Sequence, residues 1–392
     1  MRLTLCAVAV VMAMPTYAQE PPLLSLSQAR EHAYQQDAEL LALTRLQTAN
    51  VSRIQQQGRL SNPELAVEMD NLGSSPDPQT LAISISQSLP LHGQLTGRRA
   101  VAEQQQRLNQ QAIRQRQAEV AAEVRWCFAQ WQFALEQAQL RQADADIAVS
   151  QAQVVTEKWR AGRAIVSDSE RMRALATEAT FVMQRQRQQV TTQQRECQLL
   201  LGMPVAQPSA QPLPVLSDNP ISLNQHYSEL LRDSADASYR LANQERFPEL
   251  RLSVGMRRYQ STGDNALVLG AALPLPLFDR NQVARLESQG QQQAAMRRAE
   301  LSMTRGNSRL EQLTKEMAMA QEQLVVLDKQ VLPATLQSLV IAEASYKAGK
   351  TGLSDWLDAK RLWREASERR LSAALSLQET AANIEREFGV QN

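Results

Sequence analysis

The chain has 392 residues, with 42 lysines and arginines against 41 aspartates and glutamates, and a formal net charge of +1. This balance lacks the basic excess typical of DNA- and RNA-binding proteins, so no nucleic-acid partner is expected. Only 43% of the residues are apolar and 4% aromatic. Together with abundant Gln, Ala, Glu and Arg, this composition favours long, thin helices over a thick globular core.

The N terminus is typical of a signal peptide, which we assign to residues 1–18. Arg2 provides a short basic start, Leu3–Met14 an apolar core, and Thr16-Tyr17-Ala18 the small residues before a cleavage point. The apolar core is too short to span a bilayer as a mature helix, so we predict cleavage after Ala18 and export. No Cys directly follows that point, so lipid attachment there is not expected.

Beyond the signal we find no apolar run of about 20 residues, so no transmembrane helix is expected. An exported chain without such a helix is either soluble or part of a β-barrel in an outer membrane. Both possibilities remain open at this stage.

An internal duplication organises the rest of the chain. Three segments return 184 to 187 residues later, namely Pro63-Glu64-Leu65 as Pro248-Glu249-Leu250, Leu89-Pro90-Leu91 as Leu273-Pro274-Leu275, and Trp159-Arg160-Ala161-Gly162 as Tyr346-Lys347-Ala348-Gly349. We therefore predict a first repeat at 19–206, a Pro-rich linker at 207–220 and a second repeat at 221–392.

Each repeat begins with a short helix and a β-hairpin. The helices are expected at about Ser27–Gln57 and Ile221–Gln244. The hairpins are expected at 64–89 and 250–273, where apolar residues alternate with small or polar ones. Each strand-like run is nearly as long as the stretch of about 10 residues that a tilted strand needs to cross a membrane.

A very long helical hairpin completes each repeat. The first helix runs from about Thr96 to Trp159 with a coiled-coil-like apolar seam, and at about 1.5 Å per residue it would be nearly 100 Å long. The chain turns at a tip near 162 and returns over about Asp168–Leu201. In the second repeat the rise covers about Gln282–Lys347 with a tip near 349, and Pro333 should break or kink it.

Four strands cannot stand alone in lipid. Their two edges would leave backbone groups without partners, and a closed membrane barrel needs about eight strands or more. Several copies must then share one barrel, with eight strands from two copies or twelve from three, and strand counting cannot choose between them. The alternative is a soluble periplasmic adaptor with a helical hairpin and a small β domain.

The whole mature chain resembles the TolC-type outer-membrane efflux channels. Within them it looks closest to the subgroup that serves heavy-metal cation pumps of the cobalt–zinc–cadmium, or CzcC-like, kind. The segments that carry this resemblance are Asn62-Pro63-Glu64-Leu65, Ser86-Gln87-Ser88-Leu89-Pro90-Leu91, Gly263-Asp264-Asn265-Ala266-Leu267-Val268 and, most specifically, Leu273-Pro274-Leu275-Pro276-Leu277-Phe278-Asp279-Arg280-Asn281-Gln282.

The resemblance implies a mainly α fold with a small transmembrane β part. Long α-helical hairpins would form a periplasmic tunnel, and four strands per chain would join a shared 12-stranded barrel in a homotrimer. The channel would lie in the outer membrane of a Gram-negative bacterium, in contact with its lipid and with most of the chain in the periplasm. A periplasmic adaptor and an inner-membrane RND-type pump would be its partners. It would be a passive duct, with no catalytic residue and no cofactor.

The resemblance also marks residues at the tip. Asp355 and Asp358 occupy the positions of the family's entrance aspartates, and three copies would form an acidic ring that attracts cations. The alternative is an acidic first turn that stabilises its own helix. Asp168 and Tyr346 match closure contacts, while the family's Arg partner is replaced by Thr351, with Lys350 beside it. Asp168 could instead cap the return helix together with Ser167.

Cys127 and Cys197 lie 35 residues before and after Gly162. In an antiparallel hairpin they would share one height, so a disulfide is possible in the oxidising periplasm. Height does not fix which way each side chain faces, so two separate buried thiols remain the favoured reading.

Phe247 and Phe278 flank the second hairpin and mark either the inner rim of a barrel or packing where strand meets helix. No His, Cys or Met pattern predicts a metal site. The cargo follows only from the subgroup resemblance, which favours divalent heavy-metal cations over organic toxicants.

Overall fold

The computed structural model describes residues 24–71, 79–209, 211–215 and 220–389. The expected signal peptide, part of the expected linker and most of the first hairpin turn lie outside these ranges. In chain order the elements are α1 (Leu26–Gln36), α2 (Ala38–Gln57), β1 (Glu64–Asp70), β2 (Thr80–Pro90), α3 (Gln94–Arg160), α4 (Val166–Leu201), α5 (Leu223–Gln244), β3 (Glu249–Tyr259), β4 (Asn265–Ala272), α6 (Gln282–Val326), a π-helical turn (Leu327–Val331), α7 (Leu332–Lys347) and α8 (Leu353–Phe388).

Two helices stand where a single one was expected over Ser27–Gln57. Asp37 separates α1 from α2, and its Oδ1 accepts a hydrogen bond from the N–H of Leu40 at 2.7 Å. Arg116 of α3 pairs with the same carboxylate at 2.8 Å. The hydrogen bond from Arg116 is the main reason why the pKa of Asp37 lies below its usual range. The single-helix prediction was wrong because apolar periodicity does not show that a side chain will cap a new helix.

Helix α3 is the spine of the molecule. Its 67 residues correspond to about 100 Å of helix, and it packs against α4, α8, α5 and α2. The apolar seam predicted for this helix includes Val120, Val124, Phe128 and Trp131, which follow one another at spacings of three or four residues. All four are buried in one core cluster, together with residues of α1 and α4. The seam thus packs the N-terminal helix and the return helix onto one face of the spine.

Pro333 does not end the rising helix of the second half. Helix α6 stops at Val326, Leu327–Val331 form one wider π turn, and α7 starts at Leu332. A π turn absorbs an irregularity in the backbone hydrogen-bond ladder, and a Pro in the first turn of α7 needs no N–H donor there. The chain therefore stays helical through Pro333, and the expected break does not occur.

The same rising helix is more apolar than expected. By length and composition alone, Gln282–Lys347 includes a stretch that could cross a membrane, and 11% of that stretch is buried. This differs from the expectation that no such helix follows the signal. Towards the tip this helix places Leu339 and Tyr346 in a buried cluster, whereas Leu336, Val340 and Ile341 are exposed.

The four strands form one antiparallel sheet in the order β1-β2-β3-β4. Strands β2 and β3, which come from different halves of the chain, pair along their whole length from Thr80–Tyr259 to Pro90–Glu249. Among the residues that the structure describes, strands β1 and β4 each pair with one neighbouring strand, so the sheet has two open edges.

Candidate functional site

One face of the sheet is apolar, and the other carries mostly small and polar side chains. Two rows of directly paired residues on the apolar face, 46% to 73% exposed, are Leu65–Ile85–Val254–Leu269 and Val67–Ile83–Met256–Leu267. Two rows on the other face are Glu64–Ser86–Ser253–Gly270 and Ala66–Ser84–Gly255–Val268. Apolar side chains that are exposed across all four strands, opposite a polar face, are typical of a membrane barrel wall with lipid outside and water inside.

Both helical hairpins turn in the same way at their tips. Gly162 and Gly349 have positive φ angles of 69° and 70°. The N–H of Arg163 donates to the carbonyl of Lys158 at 2.7 Å, and the N–H of Lys350 donates to that of Ser345 at 2.9 Å. These bonds define two Schellman motifs, and Gly supplies the left-handed conformation that each one needs.

Asp355 and Asp358, the two residues predicted to lie at the entrance, are in the first two turns of α8. Asp355 accepts a hydrogen bond from the N–H of Gly352 at 3.1 Å, so it stabilises the start of its own helix. Asp358 lies 3.5 Å from Arg361, and both side chains are about two-thirds exposed, at 67% and 60%. Both carboxylates therefore face solvent in the single chain. The helix-capping alternative describes one function of Asp355 and does not exclude a second in an assembly.

A buried aromatic cluster holds the two tips together. Trp356 is fully buried and Tyr346 is 8% exposed, among apolar residues of α3, α4, α7 and α8. Lys158 of α3 donates to the backbone carbonyl of Tyr346 at 3.0 Å, and its Nζ lies 4.1 Å from the centre of the Tyr346 ring. Burial, and secondarily the negative charge of Asp168, raises the pKa of the Tyr346 hydroxyl.

The other two residues predicted to close the tip, Asp168 and Lys350, are not part of the buried aromatic cluster. Asp168 does not cap α4 with Ser167, because the helix begins at Val166 and Ile165 is its N-cap residue. Lys350 is exposed, and its backbone N–H serves the turn. Lys158 was missed in the sequence, although it directly precedes Trp159, the counterpart of Tyr346. No local pattern shows which cation on one hairpin meets which aromatic ring on the other.

Cys127 and Cys197 form a disulfide between α3 and α4, with their Cα atoms 5.7 Å apart. Cys197 is fully buried in the core cluster that contains Phe128 and Trp131, and Cys127 packs against it. Cys127 and Cys197 thus lie at the same height along the hairpin, as predicted, and their side chains also face each other. The favoured prediction of two separate thiols was wrong.

The two candidate rim aromatics differ in their surroundings. The ring of Phe247 stacks on His92 with a centroid distance of 4.0 Å, and the Arg246 guanidinium carbon lies 4.6 Å from its centre. Phe247 thus fits packing at the junction of strand and helix. Phe278 is 92% exposed, and among the described residues its ring stacks on no other ring and lies over no cation.

Across the ranges that the structure describes, no group of three or more His, Cys, Asp or Glu side chains is placed to hold a metal ion. Long helical hairpins, joined to an open sheet whose two faces differ in polarity, are typical of a membrane channel protein.

Residues 227–390 match the family model described as outer membrane efflux protein. The cobalt-zinc-cadmium resistance protein CzcC of Cupriavidus metallidurans is 28% identical over 351 residues, which cover 84% of this chain and 81% of that protein. The outer membrane protein VceC of Vibrio cholerae has a TM-score of 0.78 at 13% identity, covering 93% of this chain and 96% of that one. The open state of the MtrE outer membrane channel of Neisseria gonorrhoeae has a TM-score of 0.76 at 17% identity, covering 93% and 89%.

The chain is thus similar to the outer membrane efflux proteins over residues 227–390, and to a cobalt-zinc-cadmium resistance protein over most of its length. It is an outer-membrane efflux channel of a Gram-negative bacterium with a large helical part in the periplasm, and it is not an enzyme. The alternative of a soluble periplasmic adaptor was therefore wrong. The solved structures, at this low identity, show the shared fold alone.

Proposed function

We propose that three copies of this chain form one exit duct of a tripartite efflux system. Four strands from each copy build a 12-stranded barrel, and the helical hairpins continue it as a periplasmic tunnel. A periplasmic adaptor and an inner-membrane RND-type pump deliver the cargo and supply the energy. The observation that carries this proposal is the sheet with an exposed apolar face and two open edges, which lipid cannot satisfy in a single copy.

The division into two repeats is part of the same proposal. Matching Schellman motifs at Gly162 and Gly349, and a helix–strand–strand–long hairpin order in both halves, support it. Two similar halves per chain give a trimer six similar sectors around its axis.

We propose divalent heavy-metal cations as the cargo, with organic toxicants as the second candidate. The first is supported by similarity to a cobalt-zinc-cadmium resistance protein over most of both chains. The test is deletion of the gene, followed by growth across a panel of metals and organic toxicants. Sensitivity to divalent cations that the restored gene reverses is expected. Sensitivity to organic compounds alone would contradict the metal assignment and leave the channel intact.

At the tip, the Asp355→Asn and Asp358→Asn double variant is expected to weaken block by a trivalent cation on the order of tenfold. Six exposed carboxylates around a narrow mouth attract cations, and the amides do not. Single-channel conductance in planar bilayers measures the concentration that gives half block.

The matched control is Glu379→Gln, a carboxylate on the exposed side of the same helix and far from the tip. It should leave block unchanged. If the double variant is blocked at the same cation concentration as the wild type, Asp355 stabilises only its own helix and the acidic ring does not exist.

Lys158 is the closure contact that we expect to matter most, together with Tyr346 and the charge of Asp168. Lys158→Met removes a charge-assisted hydrogen bond and a cation–π contact, worth about 2 kcal/mol together. The ratio of open to closed time in single-channel records should rise by about tenfold or more. Lys350→Met tests the exposed lysine beside the turn and should change this ratio little. A larger effect of Lys350→Met than of Lys158→Met would reverse the assignment.

We assign the inner rim of the barrel to Phe278, whose exposed ring can reach the interface between lipid and water. Phe247 has its ring stacked on His92 and contributes to the junction of strand and helix instead.

A further inference from the structure

The two open edges of the sheet expose backbone groups of odd-numbered residues. The N–H of Tyr259 donates to the carbonyl of Asp264, and the N–H of Gln260 donates to that of Gln79, both at 3.0 Å. Paired residues in antiparallel strands alternate between hydrogen-bonded and non-hydrogen-bonded pairs. Counting from these two bonds, the even-numbered residues of β4 bond to β3, and the even-numbered residues of β1 bond to β2. The odd-numbered residues of both edge strands therefore point their backbone groups outwards.

These outward residues also carry the apolar face. On β1 they are Leu65, Val67 and Met69, and on β4 they are Leu267, Leu269 and Ala271, preceded by the polar Asn265 at the start of the strand. Directly opposed residues of antiparallel strands share one face of the sheet, and a slip by one residue exchanges the two faces. An edge of one copy can thus pair with the other edge of the next copy, odd residue against odd, and keep the apolar face continuous.

Pro274 does not disturb this edge. It lies at an even-numbered position after β4, where a further pair with Glu249 of β3 would form. Pro has no N–H to donate, so the pairing with β3 ends at Ala272. The outward backbone groups of Ala271 and Leu273 are unaffected, and the free edge remains open to a second copy.

The internal duplication limits the possible registers between β4 of one copy and β1 of the next to two. Within the chain, Leu89 of β2 pairs with Leu250 of β3. Leu250 corresponds to Leu65 of β1, and the Leu-Pro-Leu motif that begins at Leu89 recurs at both Leu273 and Leu275. If the join between copies repeats the join between halves, Leu65 of the next copy lies opposite Leu273 or Leu275. Ala272 then lies opposite Ala66 or Glu68 of that copy.

Barrel closure selects the same two registers. Following direct partners from Glu64 across the sheet leads through Ser86 and Ser253 to Gly270. With Ala272 opposite Ala66 or Glu68 of the next copy, Gly270 lies opposite Glu68 or Asp70 of that copy. The row of paired residues that began at Glu64 is then displaced along β1 by four or six residues for each copy. Strand spacings of about 3.3 Å along and about 4.8 Å across then give tilts of about 35° and about 46°. Shifts of two or eight residues give about 19° and about 54°, outside the usual range of about 35–45°.

We propose that β4 of each copy pairs antiparallel with β1 of the next, with Ala272 opposite Ala66 or Glu68. The occupant of each open edge is thus a second copy of this chain in a defined register. This inference rests on the proposed shared barrel. The apolar face becomes one continuous lipid-facing belt, and the small side chains of β4 line the water-filled side at each join.

Cysteine cross-linking tests the register. Ala272→Cys is combined in turn with Glu64→Cys, Ala66→Cys, Val67→Cys, Glu68→Cys or Asp70→Cys, and outer membranes are oxidised with copper phenanthroline. Within one chain β1 and β4 are separated by two strands, so any cross-link must join two copies. The expected result is loss of the monomer band in non-reducing gels for the Ala66 or Glu68 combination. Ala272→Cys alone and the wild type should keep the monomer band.

Each other outcome has its own meaning. The strongest cross-link with Glu64→Cys, Asp70→Cys or the opposite-face Val67→Cys would overturn the register. Failure of every combination in a protein that native mass measurement shows to be trimeric would overturn the edge pairing and leave the shared duct standing. A monomer in the same measurement would overturn the proposed duct itself.

Discussion

Replacing Glu385 by Gln is expected to lower the free energy of unfolding by about 3–5 kcal/mol. The Glu385 carboxylate is shared by two arginines, with Arg30 at 2.6 Å and Arg125 at 2.5 Å. The side chains of Arg125 and Glu385 are each 2% exposed, and that of Arg30 is 11% exposed. Without the carboxylate, two buried guanidinium groups face each other with no counter-charge.

The position of this group explains why its loss should be felt widely. Arg125 also donates to Gln378 and to the carbonyl of Pro212, each at 2.9 Å. The network thus ties α1, α3 and α8 to the segment between the two halves. Breaking it should loosen the contact between the first and last helices of the chain.

Thermal unfolding of the detergent-solubilised protein, followed by loss of helical circular dichroism, measures the effect. Glu379→Gln is the matched control, since it makes the same change at an exposed position of the same helix. An unfolding temperature of Glu385→Gln equal to that of the control would show that the network contributes little.

Removing the disulfide is expected to lower the free energy of unfolding by about 4 kcal/mol. The bond closes a loop between residues 70 positions apart, and a loop of that size loses much conformational entropy in the unfolded chain. The Cys127→Ala and Cys197→Ala double variant should unfold at a clearly lower temperature than the oxidised wild type. Wild type unfolded in the presence of a reductant should behave like the variant, and the reductant should not affect the variant.

Thiol labelling provides a direct control on the bond itself. Mature wild-type protein denatured without reductant should take up no label, because Cys127 and Cys197 are its two cysteines after the expected cleavage. Two labelled thiols per chain would contradict the disulfide, and with it the expected loss of stability in the double variant.

The long elements could be predicted because their signals are local and repeated. The seam from Val120 to Trp131 follows helical spacing, and those side chains are buried. Leu81, Ile83 and Ile85 alternate with small residues, and β2 is a strand with two different faces. Gly162 and Gly349 end helices because each residue there takes a positive φ angle.

What could not be predicted depends on residues far apart in the chain. Asp37 starts a second helix while it pairs with Arg116, 79 positions away. Lys158 meets Tyr346 across 188 positions, and Arg125 meets Glu385 across 260. Periodicity places each of these residues on a helix, but it does not show how two helices are rotated against each other. The disulfide was left open for the same reason, because height along a hairpin does not determine facing.

At the acidic tip, the role predicted from the sequence differs most from the contacts that the structure shows. The family resemblance places Asp355 and Asp358 at an entrance, whereas the single chain shows a helix-stabilising contact for one and a surface ion pair for the other. Both descriptions are compatible only if neighbouring copies bring the carboxylates together. The functional assignment of the tip therefore depends on the assembly.

The number of copies in the membrane-extracted protein tests this account most directly. Native mass spectrometry of protein extracted from outer membranes in detergent is predicted to show three chains, and no stable water-soluble form should be recovered. A single chain that remains folded and dispersed in water, or that crosses the bilayer alone, would contradict the account, because its sheet would then have to satisfy both open edges without another copy.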